Sequence, residues 1–221
     1  MFESVKISIS LEHYILYICN MKESSLYSIG HGNKSIDTFI DELKHFGINY
    51  LIDIRSKPYS KHNPQFNQNE LKFALLDKKI TYTFMGDFLG GLPDDKSCYT
   101  NGHVDYDKLK EKAFFKEGLQ RLITADDKNI KIAIMCSESK PEECHRTKLI
   151  GEELRKLGII LNHITRTKGN GEELIIKTQG EVMQDVAPNG TIDLWGVEMS
   201  FESRKKHNQD MRKVNSVVVI G

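Results

Sequence analysis

Two cysteines stand eight residues apart in the run "IKIAIMCSESKPEECHR", and a histidine and an arginine follow the second directly. The run is apolar up to Cys136 and polar after it, so it reads as a buried strand that carries a thiol to its carboxyl end. Ser139 and Glu142 have the spacing of a capping box, and Pro141 suits the first helical position. A helix is therefore expected to start there and continue through "PEECHRTKLIGEELRKLG". Cys144 then falls in or near the first turn, where the positive end of the helix dipole lowers a thiol pKa, and Arg146 adds to the effect. These residue types point to nucleophilic chemistry. Cys136 is the nucleophile or sulfur carrier and Cys144 the thiol that resolves it. His31 or Glu138 moves protons, His145 stands beside them, and Arg55 and Arg146 hold an anion. The plainer alternative is that one of the two cysteines is a small apolar core residue, which is the expectation for Cys19 and Cys98.

The same residues include metal-ligand types, since His31, Cys136, Cys144 and His145 all qualify. Structural zinc sites usually pair their ligands about two to four residues apart, a spacing these cysteines lack. Thiol chemistry is preferred, and no metal or other cofactor is assigned.

Three expected strands end in polar residues: Gly30 and His31 after the first, Asp53 and Arg55 at the second, Cys136 and Glu138 at the fourth. Ligands of open parallel sheets bind outside the carboxyl ends of the strands, so these groups are expected to converge on one cleft. The competing reading is that they cap helices and satisfy loop backbone, with Asp53 and Arg55 forming a plain ion pair. The segment "DIRSKPYSKHNPQFN" sets Arg55, Lys57, Lys61 and His62 among Tyr59 and Phe66, with Pro58 and Pro64 stiffening it. Basic groups interleaved with aromatics hold phosphates and stack on bases. Asp53, Arg55, Lys57, Ser60, Asn63 and Arg146 thus form the candidate anion-binding set. Its alternative is a braced surface loop whose aromatics pack on the core.

The elements that must position these residues follow from periodicity. "SLYSIG" reads as a strand, and Ser35 can cap a helix "IDTFIDELKHFG" in which Ile36, Phe39, Ile40 and Leu43 recur at helical spacing before Gly47 stops it. "NYLIDIR" is a second strand, "QNELKFALLDKK" a second helix and "ITYTFM" a third strand. After "LGGLPDD" comes a long loop with Cys98 and Tyr99, and then a helix from about Tyr106 to Ala125. The strand "IKIAIMC", the cysteine-bearing helix and the strand "IILNHI" complete the series. This alternation predicts one α/β domain with a mostly parallel sheet flanked by helices. It spans residues 26–168, between an N-terminal extension over 1–25 that need not be native and a C-terminal extension over 169–221 that is partly disordered or peripheral. At its start, from residue 167, "TKGNGEE" reads as a turn or linker, and farther on "FESRKKHNQDMRK" reads as a solvated helix or a disordered stretch.

Composition narrows the partners. Lys plus Arg and Asp plus Glu each count 31 in 221 residues, so no global field draws the protein to nucleic acid or a membrane surface. No stretch approaches the roughly 20 apolar residues of a membrane span. Four cysteines without the dense spacing of a secreted scaffold fit a reducing compartment, and a cytoplasmic location is expected. "ISISLEHYILYICNM" lacks the basic lead and the cleavage site of a signal peptide, and Met21 offers an alternative start.

Together, "YSIGHGNKSIDTFIDELKHFGI", "LIDIRSKPYSKHNPQFN", "FLGG" and "MCSESKPEECHR" resemble, in order from about Leu26 to Ile164, the bacterial and archaeal family named domain of unknown function 488. The resemblance places hallmark positions on Gly30, His31, Asp53, Arg55, Pro58, Pro64, Phe66, Gly90, Gly91, Cys136, Glu138, Cys144, His145 and Arg146. Where the family usually has Ser after its Gly-His pair, this chain has Gly32. A looser likeness to rhodanese-like sulfurtransferases rests on the order Asp53, Arg55, Cys136, although their loop from reactive cysteine to basic residue is tighter than Cys136 to Arg146. The expected function is thus a cysteine-dependent transferase or hydrolase acting on an anionic small molecule or nucleotide. The alternative is a nucleotide- or nucleic-acid-binding module using the Arg55–Phe66 loop without thiol chemistry.

Two outcomes are expected. A chain begun at Met21 folds and melts like the full chain, which thermal denaturation checks. Cys136 or Cys144 alkylates near neutral pH faster than Cys19 or Cys98, and Arg146→Ala slows that labelling, as peptide mapping would show.

Overall fold

A strand buried on both faces must place all its backbone polar groups in its neighbours' ladders, and "IAIMC" does so at the centre of the fold. The computed structural model describes residues 24–167, 172–186 and 202–206. Strand β1 (Leu26–Gly30) leads to helix α1 (Ile36–His45), β2 (Tyr50–Asp53) to α2 (Gln68–Leu76), and β3 (Thr81–Phe84) to the short α3 (Gly86–Leu89). A small hairpin, β4 (Tyr99–Thr100) and β5 (His103–Asp105), precedes α4 (Tyr106–Lys110) and α5 (Ala113–Asp127). Then come β6 (Ile132–Cys136), a π-helical segment Arg146–Gly151 that runs on into α6 (Glu152–Lys156), β7 (Asn162–Arg166), β8 (Leu174–Thr178), α7 (Gln179–Val186) and β9 (Glu202–Lys206).

The main sheet has the order β3-β2-β6-β1-β7-β8, parallel throughout except for β8, which runs antiparallel to β7. Gly30 of β1 lies beside Cys136 of β6, and Asp53 of β2 lies beside Met135. Three polar strand ends are therefore neighbours in space. Side-chain alternation along β6 divides the core. Ile132, Ile134 and Cys136 join Phe115, Leu119, Leu122 and Leu149 on one face. Ala133 and Met135 join Phe39, Leu43, Phe66 and Leu71 on the other. The period of two thus sends the Cys136 thiol to the face where Cys144 is also buried.

Local signals act where expected in α1. The Ser35 hydroxyl accepts from the Thr38 N–H at 3.1 Å, and Gly47, at φ 66°, ends the helix. The single helix expected from Tyr106 to Ala125 is instead two. Asp105 caps α4 by accepting from the N–H groups of Asp107 and Lys108, and Lys112 takes an extended backbone before α5 begins. No Gly or Pro marks the break, and the Lys112–Asp95 ion pair at 2.9 Å is a tertiary contact outside any helical period.

Part of the chain after residue 168 packs at the periphery of the domain. Strand β8 forms the edge of the main sheet, and α7 buries Gln179, Val182 and Met183. Within the charged stretch expected to be helical or disordered, Glu202–Lys206 forms β9, which pairs antiparallel with β5. The rest of that stretch, together with Cys19 and Met21, lies outside the described residues. No helix among the described residues is long and apolar enough to cross a membrane.

A buried polar chain fastens α7 to the sheet. Ser28 Oγ meets His163 Nδ1 at 2.6 Å, and His163 Nε2 meets Gln179 Oε1 at 2.8 Å. Gln179 Nε2 in turn donates to the Thr147 carbonyl at 3.1 Å and to Glu152 at 2.7 Å. A Cβ on Gly151 would fall 2.1 Å from Gln179 Oε1, so only glycine leaves room for this side chain. Burial, helped by the Arg146 charge, lowers the His163 pKa to about 3. The unfolded chain binds this proton below about pH 6.5 and the native one does not. The stabilisation is therefore complete above that pH and is lost as pH falls toward 3. Urea unfolding is expected to show about 1–2 kcal/mol of loss between pH 6.5 and 5 from this group, a slope that shrinks in His163→Gln.

Candidate functional site

The chain turns as soon as β6 ends. Pro141–Glu143 form one 3-10 turn, and Cys144 then adopts an extended conformation at φ −113° and ψ 151°. The expected capping box does not form, since Lys140 precedes the turn and no side chain caps it. The helix begins only after Cys144, whose carbonyl accepts from the Thr147 and Lys148 N–H groups. Its sulfur accepts from the Arg146 N–H at 3.5 Å. Cys144 therefore occupies the N-cap itself, with sulfur in the place a Ser or Asp oxygen usually takes. Following it is a π turn, a form that clusters at functional sites.

This geometry puts Cys144 Sγ 2.8 Å from Cys136 Sγ, both as free thiols. Arg146, fully buried, clamps the pair: its Nη1 donates to Cys136 Sγ at 2.6 Å and to the Glu138 carbonyl at 2.6 Å, and its Nη2 donates to the Ser139 carbonyl at 3.1 Å. Glu138 thus holds the loop through its main chain. Gly30 makes this approach feasible, because a Cβ there would lie 1.8 Å from the Glu138 carbonyl oxygen. Gly91 does the same for His145, whose ring would meet a Cβ at 2.8 Å.

The two thiols differ in acidity. Burial, and its S–H bond toward Cys144, push the Cys136 pKa well above the ordinary thiol value against the pull of Arg146. Burial would raise Cys144 too, but the Cys136 S–H, the Arg146 charge and the Arg146 N–H outweigh it and bring Cys144 down to about 7. Cys144 is thus the more acidic thiol of the pair, and Cys136, whose Sγ accepts from Arg146 Nη1, lies between that guanidinium and it. His145 Nδ1 lies 3.5 Å from Cys144 Sγ, and burial lowers the pKa of this ring, so it stays neutral.

On the other side of β6, Asp53 and Arg55 form a buried two-point ion pair, with Nε at 2.9 Å from Oδ1 and Nη2 at 2.6 Å from Oδ2. Tyr82 also donates to Asp53, at 2.8 Å, and Arg55 Nη2 reaches the Phe66 carbonyl at 2.8 Å. His31 stacks on Phe66 at 4.3 Å and bonds Gly32 O through Nδ1 at 2.7 Å, while Nε2 faces Arg55 Nη1 at 3.4 Å. Burial first of all lowers the His31 pKa to about 4. The ring is neutral with both nitrogens engaged, which suits a support for Arg55 better than a proton carrier. Gly32 sits at φ 53°, a left-handed turn that a Ser there would strain.

Two adjoining clefts open over these residues. The first, about 350 Å³, is lined by Cys136, Cys144, His145, Arg55, Lys57 and Lys148, with Glu138 and Glu143 at its side. The second, about 480 Å³, holds His31, Tyr59, Ser60 and Asn63. Arg55, Lys57, Ser137 and Glu138 belong to both and form the shared wall. The expected convergence is therefore divided: Cys136, Cys144 and Arg55 line one cleft, and His31 and Arg55 line its neighbour. The basic loop divides as well, with Phe66 in the core and Tyr59 72% exposed. Cys98 is a core residue, as expected. Lys148 and Tyr106 escaped the sequence reading; Lys148, four residues after Cys144 on a helix, carried a usable spacing signal, whereas Tyr106 carried none. Among the described residues no group of three or more His, Cys, Asp or Glu side chains has a metal-binding arrangement.

Comparison with known families supplies one match: the family described as Domain of unknown function DUF488 covers residues 35–151. That range contains Arg55, both site cysteines and Arg146, whereas Gly30 and His31 precede it and Gln179 follows it. No curated protein and no solved structure matches the chain.

Asp53→Asn keeps the shape of the Asp53–Arg55 pair but leaves the guanidinium buried without its counter-charge. It is expected to lower unfolding stability by about 3–5 kcal/mol in urea titration.

Proposed function

This chain belongs to the DUF488 family, and we propose that it is a cysteine-dependent enzyme in which the Cys144 thiolate attacks an electrophilic atom of a small anionic molecule. The observation that carries this reading is the contact of two inequivalent thiols, 2.8 Å apart, at the floor of a cleft with Arg146 behind them. A buried thiol with no function has no use for a guanidinium, a second thiol and a helix N-cap at once. The roles are the reverse of those expected from the sequence. Cys144 is the nucleophile, because it is the more acidic of the two, and Cys136 is the thiol that steadies it.

In the transfer, Cys144 sulfur bonds to the electrophilic atom and the leaving group departs with the bonding pair. The leaving group takes its proton from the Cys136 S–H, which lies against Cys144 Sγ, and an acceptor or water then releases the adduct. Arg55, Lys57 and Lys148 line the same cleft and favour an anionic substrate. A free thiol pair at the centre of the site suits the reducing cytoplasm.

A second reading, a nucleotide-binding module without thiol chemistry, draws on the neighbouring cleft, where Tyr59, Lys57, Ser60 and Asn63 stand together. Alkylation separates the two. Iodoacetamide labelling mapped by mass spectrometry is expected to fall on Cys144 first, with a rate that rises with pH to a half-maximum near 7, and to vanish in Cys144→Ser. Slow labelling of Cys136, Cys144 and Cys98 alike, rising only above pH 9, would remove the thiol reading and leave the binding module.

A further inference from the structure

Resting on the thiolate reading above, we propose that Cys144 and Cys136 act together as a dithiol that reduces the disulfide of a small acidic thiol compound. Besides steadying the nucleophile, a second thiol in contact with it can resolve the adduct that the nucleophile forms. Here the second sulfur is 2.8 Å away, within reach of whatever sulfur Cys144 captures. The loop between them does not depend on a covalent bond for its shape, because Arg146 ties the Glu138 and Ser139 carbonyls and Pro141 O accepts the Cys144 N–H. Both sulfurs therefore stay adjacent in either redox state.

The clefts suit such a substrate. A symmetric disulfide has two like halves on either side of its sulfur atoms, and the site offers two adjoining cavities of about 350 and 480 Å³. Arg55 and Lys57 stand in the wall common to both, so each acidic half meets the same pair of cations. The thiols lie in only one of the cavities, so one half is captured and the other is displaced.

The electrons balance as follows. The Cys144 thiolate attacks one substrate sulfur, the substrate S–S bond breaks, and the first thiolate leaves with the Cys136 proton. Cys136, now a thiolate, attacks the Cys144 sulfur of the mixed disulfide. The Cys136–Cys144 bond forms, and the second substrate thiolate departs and takes a proton from solvent. Two electrons pass from the protein to the substrate, and excess small thiol returns the protein to its dithiol form.

The test is a single turnover of the reduced full chain with oxidised glutathione under anaerobic conditions, quenched in acid and read by intact mass and thiol release. Two glutathione thiols are expected per protein, with a loss of two hydrogens from the protein mass. Cys136→Ser should stop at one released thiol, with a glutathione adduct on Cys144. Cys144→Ser should react about 100-fold more slowly at pH 7. Cystamine, whose ends are cationic, should react about tenfold more slowly than oxidised glutathione with the unaltered protein. If Cys144 alkylates near neutral pH but releases no thiol faster than Cys144→Ser does, the dithiol inference falls and the nucleophile reading stands. If Cys144 does not alkylate there either, the reading beneath it falls as well. Cystamine reacting as fast as oxidised glutathione would overturn the acidic class of substrate.

Discussion

A fully buried guanidinium is the constraint around which this domain is arranged. Arg146 has no solvent to share its charge with, and moving such an ion out of water costs several kcal/mol unless anions and carbonyls stand in for the water. Two loop carbonyls and a sulfur do so. Much of the local structure follows from that need. The loop after β6 must fold back over the arginine, and the residue beneath that loop must be glycine. Arg146 thus links the shape of the loop to the acidity of the cysteines.

Sheet topology brings the rest together with little added cost. Parallel neighbours β1, β6 and β2 end at one edge, so residues more than a hundred positions apart in the chain become neighbours by register alone. The Cys136 face of β6 looks toward the helical segment that carries Cys144 and Arg146, and the opposite face packs on the layer that holds Phe66. The site therefore draws on both halves of the core. Phe66 is both a core residue and the platform for His31, and its carbonyl accepts a bond from Arg55.

The parts of this arrangement that were legible in the sequence are those governed by short-range rules. Hydrophobic periodicity and the Ser35 and Gly47 caps mark α1, and apolar runs mark the strands, so the α/β class and the polar strand ends could be read directly. The start of the cysteine-bearing helix could not. The spacing of Ser139, Pro141 and Glu142 is a valid local signal, but Arg146 pulls the Glu138 and Ser139 carbonyls inward, and that long-range pull delays the helix until after Cys144. The relative acidity of the two thiols escaped for the same reason, since it depends on their mutual contact and on how the backbone and guanidinium N–H groups of Arg146 divide between them. Beyond Arg166 the edge strand β8 has one covered neighbour and half-buried side chains, so its pattern is faint. Strand β9 is held by backbone pairing to β5, which leaves a run of charged residues with no periodic trace of its structure.

Arg55 carries a further consequence, which concerns entropy. A solvent-exposed arginine samples many rotamers and forfeits that freedom when it closes on a ligand, at a cost of about 0.5–1.5 kcal/mol. Here Asp53, the Phe66 carbonyl and the His31 ring have already frozen the side chain at the wall between the clefts. A ligand meeting that wall would find donors whose ordering was completed when the domain folded, so this part of the entropy cost would be absent from its binding.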